Sequence, residues 1–316
     1  MKPNSKKKQV AELAILLPCF NEGKGLYDSV DVILNVVKNL TVSARVILID
    51  DGSRDETWSV IQTLHQTRGN VQGLRLSRNF GKEYAVLAGL SEVESSAYLV
   101  MDSDLQHPPA LIPTFWEAYN KAGIDAVEGV KSDRGKEGVI YKMGSFLFYG
   151  MLKYFSGMEL ANSSDFKLFS KAFRNSVIEC SDQSFFFRGA CSWVGFQRTQ
   201  IPFQVEDRNY GTSKFSFSAL TNMIKNSILS NTKALLKLAL LLAVVFTLFS
   251  IFLFVQTLYN YLSGNALSGF TTVLLFGAVQ ATFSFTVLGI LGEYISRIYQ
   301  EVKARPSFIV STTIGM

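Results

Sequence analysis

Short apolar runs that end in polar clusters alternate along the first half of the chain with stretches of helical period, as buried parallel strands and crossover helices do. Leu13 to Leu17 and Arg45 to Ile49 are two such runs, Leu74 and Leu76 mark a weaker third, Tyr98 to Met101 is a fourth and Ala126 to Val130 a fifth. Between them Ser53-Arg-Asp-Glu56 has the spacing of a capping box and predicts a helix running to about Gln66. The pattern predicts an α/β domain whose strand carboxyl ends carry polar loops, the usual place for a ligand in an open parallel sheet.

The pattern changes character at Leu238. From there to Gly292 the chain has no Lys, Arg, Asp or Glu, enough for two membrane crossings of about 20 residues each. The predicted spans are Leu238 to about Tyr259 and Phe270 to about Leu291, separated by the polar break Asn260 to Asn265. Lys225, Lys233 and Lys237 precede the first span, Arg297, Lys303 and Arg305 follow the second, and the connection has no basic residue. The positive-inside tendency therefore puts both ends, and the large domain, in the cytoplasm. Just upstream, Phe217, Leu220, Ile224 and Ile228 form an apolar stripe opposite Asn222, Lys225 and Asn226, which predicts an amphipathic helix over 215–232 in the membrane plane. Val139 to Phe155, rich in Tyr, Phe, Leu and Met, reads equally as interfacial or as core.

The predicted organisation is a disordered basic tail at 1–11, a cytoplasmic catalytic domain at 12–214, the interfacial helix, two transmembrane helices within 233–296 and a cytoplasmic tail at 297–316. The Met1 to Phe20 stretch is not read as a signal peptide, because its apolar part is split by Glu12 and ends at Pro18 without a small-residue cleavage site. Cys19, Cys180 and Cys191 are odd in number and have no Cys-x-x-Cys spacing, which indicates neither a disulfide framework nor a zinc site and fits a reducing compartment. A net charge of +5, with basic residues near the crossings, points to anionic headgroups and not to nucleic acid. Gly264, Gly269, Gly277 and Gly289 permit close helix packing, either within one hairpin or in a homo-oligomer.

The chemistry sits at the strand exits. Asp102 and Asp104 alternate just past the fourth strand, so both carboxylates can reach one cation, and Gln106 continues the alternation with a neutral oxygen. Oxygen ligands of this kind suit Mg2+ or Mn2+, which one or two carboxylates hold together with substrate phosphates. Asp50 and Asp51, beside Gly52, form a second acidic exit, suited either to a nucleobase or ribose or to capping the next helix. Pro18, Asn21 and Glu22 supply a third; Gly23-Lys-Gly25 beside them lacks the spacing of a phosphate-binding loop.

Taken in order, Pro18-x-x-Asn-Glu22, Asp50-Asp-Gly-Ser53 and Asp102-x-Asp-Leu-Gln106 resemble the inverting glycosyltransferases of family 2, which have the GT-A fold. The resemblance continues through Arg75 to Lys82, Asp165 to Ser170, Phe187-Arg-Gly189, Arg208-x-x-Gly-x-Ser-Lys214 and Leu291 to Tyr299. Within that family the chain is most similar to the polyprenyl-phosphate branch, which contains dolichyl-phosphate mannose synthases and bactoprenol glucosyltransferases. The resemblance implies a metal-dependent enzyme that moves a hexose, glucose from UDP-glucose before mannose from GDP-mannose or an aminosugar, to undecaprenyl phosphate at the cytoplasmic membrane face. It further implies that Asp102, Asp104 and Gln106 ligate Mg2+ or Mn2+ and that Pro18, Asn21, Glu22, Asp50, Asp51 and Asp102 line the nucleotide pocket. Arg134, Arg208, Ser213 and Lys214 then meet phosphates, with Arg188 a further candidate. Asp104, Asp165, Arg208 and Lys214 carry the catalysis, Asp165 acting either as a base or by orienting basic side chains. Ser103 and His107 depart from the pattern, which has Ala and Asp there. A non-catalytic membrane scaffold that binds nucleotide sugars is the competing expectation, and the retained ligand set argues against it.

Overall fold

The computed structural model describes residues 13–40, 42–133, 163–182, 185–204, 234–264 and 269–316. The chain forms two compact units, Met1–Asn222 with Pro306–Met316, and Met223–Arg305. The first unit contains strands β1 (Leu13–Cys19), β2 (Ala44–Asp50), β3 (Val71–Leu76), β4 (Ala97–Val100), β5 (Ala126–Asp133), β6 (Ser163–Ser170), β7 (Arg198–Gln204) and β8 (Val310–Ile314). Its helices are α1 (Gly25–Val37), α2 (Thr57–Thr67), α3 (Lys82–Glu92), α4 (Ile112–Tyr119), α5 (Lys171–Glu179) and α6 (Phe187–Trp193).

All eight strands join one sheet in the order β7-β5-β6-β4-β1-β2-β3-β8. The five predicted strands are present, but the sheet is mixed. β1 pairs in parallel with β2 and β4, and β2 with β3, whereas β6 runs antiparallel to β4 and β5, and β8 antiparallel to β3. Every residue of β1 is buried because helices cover both faces. Alternate side chains go to opposite layers: Leu13, Ile15 and Leu17 pack with Leu26, Val30 and Ile33 of α1, while Ala14 and Leu16 pack with Ala85, Ala88 and Leu90 of α3. α3 lies so close to the sheet that a Cβ on Gly89 would stand 2.4 Å from Ile49 Cδ1.

Three details differ from the sequence expectation. α2 begins at Thr57, four residues after the predicted cap. Its N-cap is Glu56, which makes no side-chain cap bond; Asp55 Oδ1 accepts from Thr57 N–H at 3.0 Å, while Ser53 Oγ accepts from Asn21 N–H at 2.9 Å. The segment read as a cytoplasmic tail also contains β8, whose Ser311 hydroxyl donates to the Arg75 carbonyl at 3.1 Å. Burying the β3 edge in this way satisfies backbone groups that a solvent-facing edge would leave open.

The second unit is a pair of helices, α7 (Ala234–Leu262) and α8 (Phe270–Lys303). α7 has 29 residues, which at about 1.5 Å per residue exceeds a hydrocarbon core of about 30 Å. Its apolar side chains face outward, with Leu248 62% and Phe254 67% exposed. Among the described residues, Leu241–Asn260 is long and apolar enough to cross a membrane, with a mean hydropathy of 2.4. The second predicted span falls within α8. The tail at 1–11, the 139–155 segment and the helix predicted over 215–232 lie outside the described residues.

Candidate active site

The sheet reverses direction of winding at β1, whose neighbours are β2 on one side and β4 on the other. At such a switch point the loops leaving adjacent strand ends diverge and open a crevice. A cleft of about 380 Å³ lies there, and Pro18, Glu22, Asp51, Asp102, Asp104, Gln106 and Asp165 all line it. Asn21 lines the adjoining cavity together with Ser53, Arg54, Arg75, Arg78 and Ser311.

The β4 exit folds into a tight turn. Asp104 Oδ1 accepts the Gln106 N–H at 3.1 Å, and Leu105 between them has φ 60°, a left-handed conformation that a branched side chain rarely adopts. Such local strain concentrates where a loop must aim particular groups. His107 stands where the resemblance expects a carboxylate, and it keeps an acceptor there: its Nδ1 receives the Asp102 N–H at 3.0 Å, which places the ring proton on Nε2. The ring is buried and stacks on Phe166 at 5.2 Å. Burial holds its pKa below the usual histidine value, so the ring is neutral.

Opposite the turn, Lys82 opens α3 and bridges two carboxylates, with Nζ 2.5 Å from Asp102 Oδ1 and 2.6 Å from Asp165 Oδ2. Arg188 of α6 takes the other Asp165 oxygen, Nε to Oδ1 at 2.9 Å. Burial alone would raise the pKa of Asp165, but Arg188 and Lys82 outweigh it and hold the group far below the carboxylate range. Burial likewise opposes ionisation of Asp102, and Lys82 again wins, lowering its pKa. Glu83 beside them shows the reverse: burial, then the Asp165 charge, push it up to about 7, although its Oε2 accepts the Phe187 N–H at 2.7 Å.

The donor set at the β4 exit fits a hard divalent cation. Two carboxylates and one amide oxygen line the cleft, and Asp102 Oδ1 is buried with the Lys82 ammonium as its close partner. Among the described residues no three His, Cys, Asp or Glu side chains group together as a metal site.

The second acidic exit is engaged internally. Asp51 Oδ1 and Oδ2 accept the N–H groups of Phe80 and Gly81 at 2.7 and 2.9 Å. Burial pushes its pKa up to about 6 despite those bonds. Asp50 is fully buried below the cleft, its Oδ1 accepting from Ser53 N–H at 2.8 Å and its Oδ2 3.2 Å from Arg75 Nε. Asp50 is not among the residues lining the cleft, and its carboxylate supports the loop.

Arg134, Arg208, Ser213 and Lys214 lie outside the described residues. The structure adds Lys82, Asn79, Lys131 and Ser164 to the cleft wall. For Lys82 the sequence held one signal, its place at the end of the Arg75 to Lys82 segment. A lysine at the first position of a helix otherwise reads as solvated surface.

Comparison with known proteins identifies the family. A glycosyl transferase CsbB of Bacillus subtilis (strain 168) is 33% identical over 304 residues, covering 94% of this chain and 91% of that protein. The SfII prophage-derived bactoprenol glucosyl transferase of Shigella flexneri is 30% identical, covering 95% of this chain and 97% of that protein. A solved structure of glucosyl-3-phosphoglycerate synthase from Mycobacterium tuberculosis, in complex with Mn2+, UDP-glucose and phosphoglyceric acid, aligns with a TM-score of 0.49 at 17% identity over 69% of this chain and 77% of that one. The family model for glycosyl transferase family 2 matches residues 14–193, from β1 through α6. With a Rossmann-like GT-A sheet and its acidic exits in place, this chain belongs to glycosyl transferase family 2.

Proposed function

We propose that this protein transfers glucose from UDP-glucose to undecaprenyl phosphate, or a similar polyprenyl phosphate, at the cytoplasmic face of a membrane, inverting the anomeric carbon. The observation that carries the reading is the convergence of Asp102, Asp104 and Gln106 with Lys82 and Arg188 on one cleft at the switch point. The lipid acceptor and the sugar rest on the relatives that bear the name bactoprenol glucosyl transferase over almost their whole length. In this reading α7 and α8 serve as two membrane crossings, with the basic flanks of both helices on the cytoplasmic side.

Asp102, Asp104 and Gln106 would hold Mg2+ or Mn2+, which supplies Lewis-acid stabilisation of the diphosphate leaving group. Pro18, Asn21, Glu22 and Asp51 border the nucleotide. Lys82 and Arg188 add positive charge where the leaving oxygen becomes anionic, a contribution that a partly dehydrated cleft strengthens. Arg134, Arg208, Ser213 and Lys214 receive the acceptor phosphate.

Asp165 orients the basic side chains and is not a base. Both of its oxygens are held by cations, and a carboxylate kept so far below its usual pKa has little affinity for a proton. None is needed: a lipid monophosphate with a second pKa of about 6 is already an anionic nucleophile at neutral pH.

The test is incubation of the purified full chain with polyprenyl phosphate, Mn2+ or Mg2+, and a panel of UDP-glucose, GDP-mannose and a UDP-aminosugar. Glycolipid formed from UDP-glucose is the expected product. Glycolipid from another donor alone reassigns the sugar, and free nucleotide without glycolipid in every arm overturns the transferase reading.

A further inference from the structure

We propose that Lys82 is an exchangeable counter-ion: its ammonium holds Asp102 against Asp165 until a divalent cation takes Asp102, and it then turns to the donor diphosphate. The inference rests on the transfer reading above and concerns the state of the cleft before and after the cation arrives.

The two carboxylates that Lys82 bridges depend on it unequally. Asp165 has Arg188 at 2.9 Å as a second cation, so its charge stays compensated when Lys82 leaves. Among the described residues Asp102 has no second Lys or Arg beside it. Its backbone N–H is fixed by His107, whose Nδ1 is the acceptor of that bond and stands 3.9 Å from Oδ2. A doubly charged ion at Asp102 therefore replaces a monovalent partner with a stronger one and repels the ammonium at the same time.

Lys82 is also built to move. Its side chain is 43% exposed, and it springs from the first residue of α3, directly after Gly81, so the stem lies along the open cleft. Lys167 shows the contrasting design in the same sheet. Its side chain is 1% exposed and locked to Glu128 at 3.0 Å. A released Lys82 stays on the cleft wall with a full charge and three donors, and the nearest anion that transfer chemistry brings there is the diphosphate.

The first measurement uses the unmodified full chain. Lys82 acylation by an amine-reactive reagent, read by peptide mass spectrometry, should rise several-fold on adding Mn2+ alone and fall again when UDP is added with Mn2+. In the second, Mn2+ binding is followed by electron paramagnetic resonance without nucleotide. Lys82→Met should bind Mn2+ about tenfold more tightly than the natural protein, because the competing charge is gone. Lys82→Arg, which keeps the charge, should bind near the natural affinity. The tightening of Mn2+ binding by UDP should be lost in Lys82→Met. Unchanged or reduced acylation with Mn2+ alone overturns the proposal, as does Mn2+ affinity in Lys82→Met at or below that of the natural protein. Either result alongside normal glycolipid synthesis removes this inference alone, whereas absent glycolipid in every donor arm removes the transfer reading itself.

Discussion

Two pairs of carboxylates lie at the same end of the sheet, one pair on each side of β1, and have opposite fates. Asp50 and Asp51 at the end of β2 spend their oxygens on Ser53, Arg75, Phe80 and Gly81, and so build the loop that ends at Lys82. Asp102, after β4, and Asp165, on β6, are held by the side-chain cations Lys82 and Arg188. What separates scaffold from chemistry is the partner: the backbone N–H groups of Ser53, Phe80 and Gly81 cannot leave the β2 pair, whereas an ammonium on a flexible stem can leave Asp102.

The sharpest way to break this contrast is to remove one carboxylate from each exit. Asp104→Ala should lower transfer by a hundredfold or more, about what loss of one electrostatic contributor at a reacting centre costs, with the melting temperature almost unchanged. Asp165→Asn comes next. It leaves Lys82 and Arg188 facing a neutral amide, and breaking a buried pair costs about 3 kcal/mol or more, less here because Lys82 is partly exposed. Activity and melting temperature should fall together, while the pH–rate profile keeps its shape; loss of its acid limb would identify Asp165 as a base after all.

On the scaffold side, Gly52→Ala should destabilise the fold by about 2 kcal/mol by chemical denaturation. Gly52 has φ +66°, and a Cβ there would lie 2.3 Å from the Arg78 carbonyl carbon. The smallest effect is a pH slope. Folded Asp51 keeps its proton up to about pH 6, the unfolded chain only to about pH 4. The native state thus binds more protons between those values, and stability falls as pH rises through them. Asp51→Asn should flatten that slope in melting curves recorded across the interval.

The parallel half of the sheet was legible because β1, β2 and β4 are continuous apolar runs, each closed by a polar exit. β6 was not. It reads Ser-Ser-Asp-Phe-Lys-Leu-Phe-Ser, and no rule of pattern places Asp165 and Lys167 in a central strand. They are tolerated there because partners from α3, α6 and β5 neutralise them. β7 alternates exposed and half-buried residues as an edge strand does and carries Pro202. β8 pairs with a strand more than 230 residues away, a contact that local periodicity cannot reveal. In the site, the metal-type carboxylates were visible as a spacing. The division of labour between Asp50 and Asp102 was not, since both are acidic residues at strand ends and differ only in what folds against them.

The central claim is that the β4 exit does the chemistry, while the β2 exit shapes the cleft and borders the nucleotide. Glycolipid formation from UDP-glucose and polyprenyl phosphate, followed with saturating Mn2+ for the natural protein, Asp104→Ala and Asp51→Asn side by side, tests it directly. The account predicts that transfer collapses in Asp104→Ala while Asp51→Asn keeps a rate within about tenfold of natural. Near-normal turnover by Asp104→Ala under those conditions would contradict it.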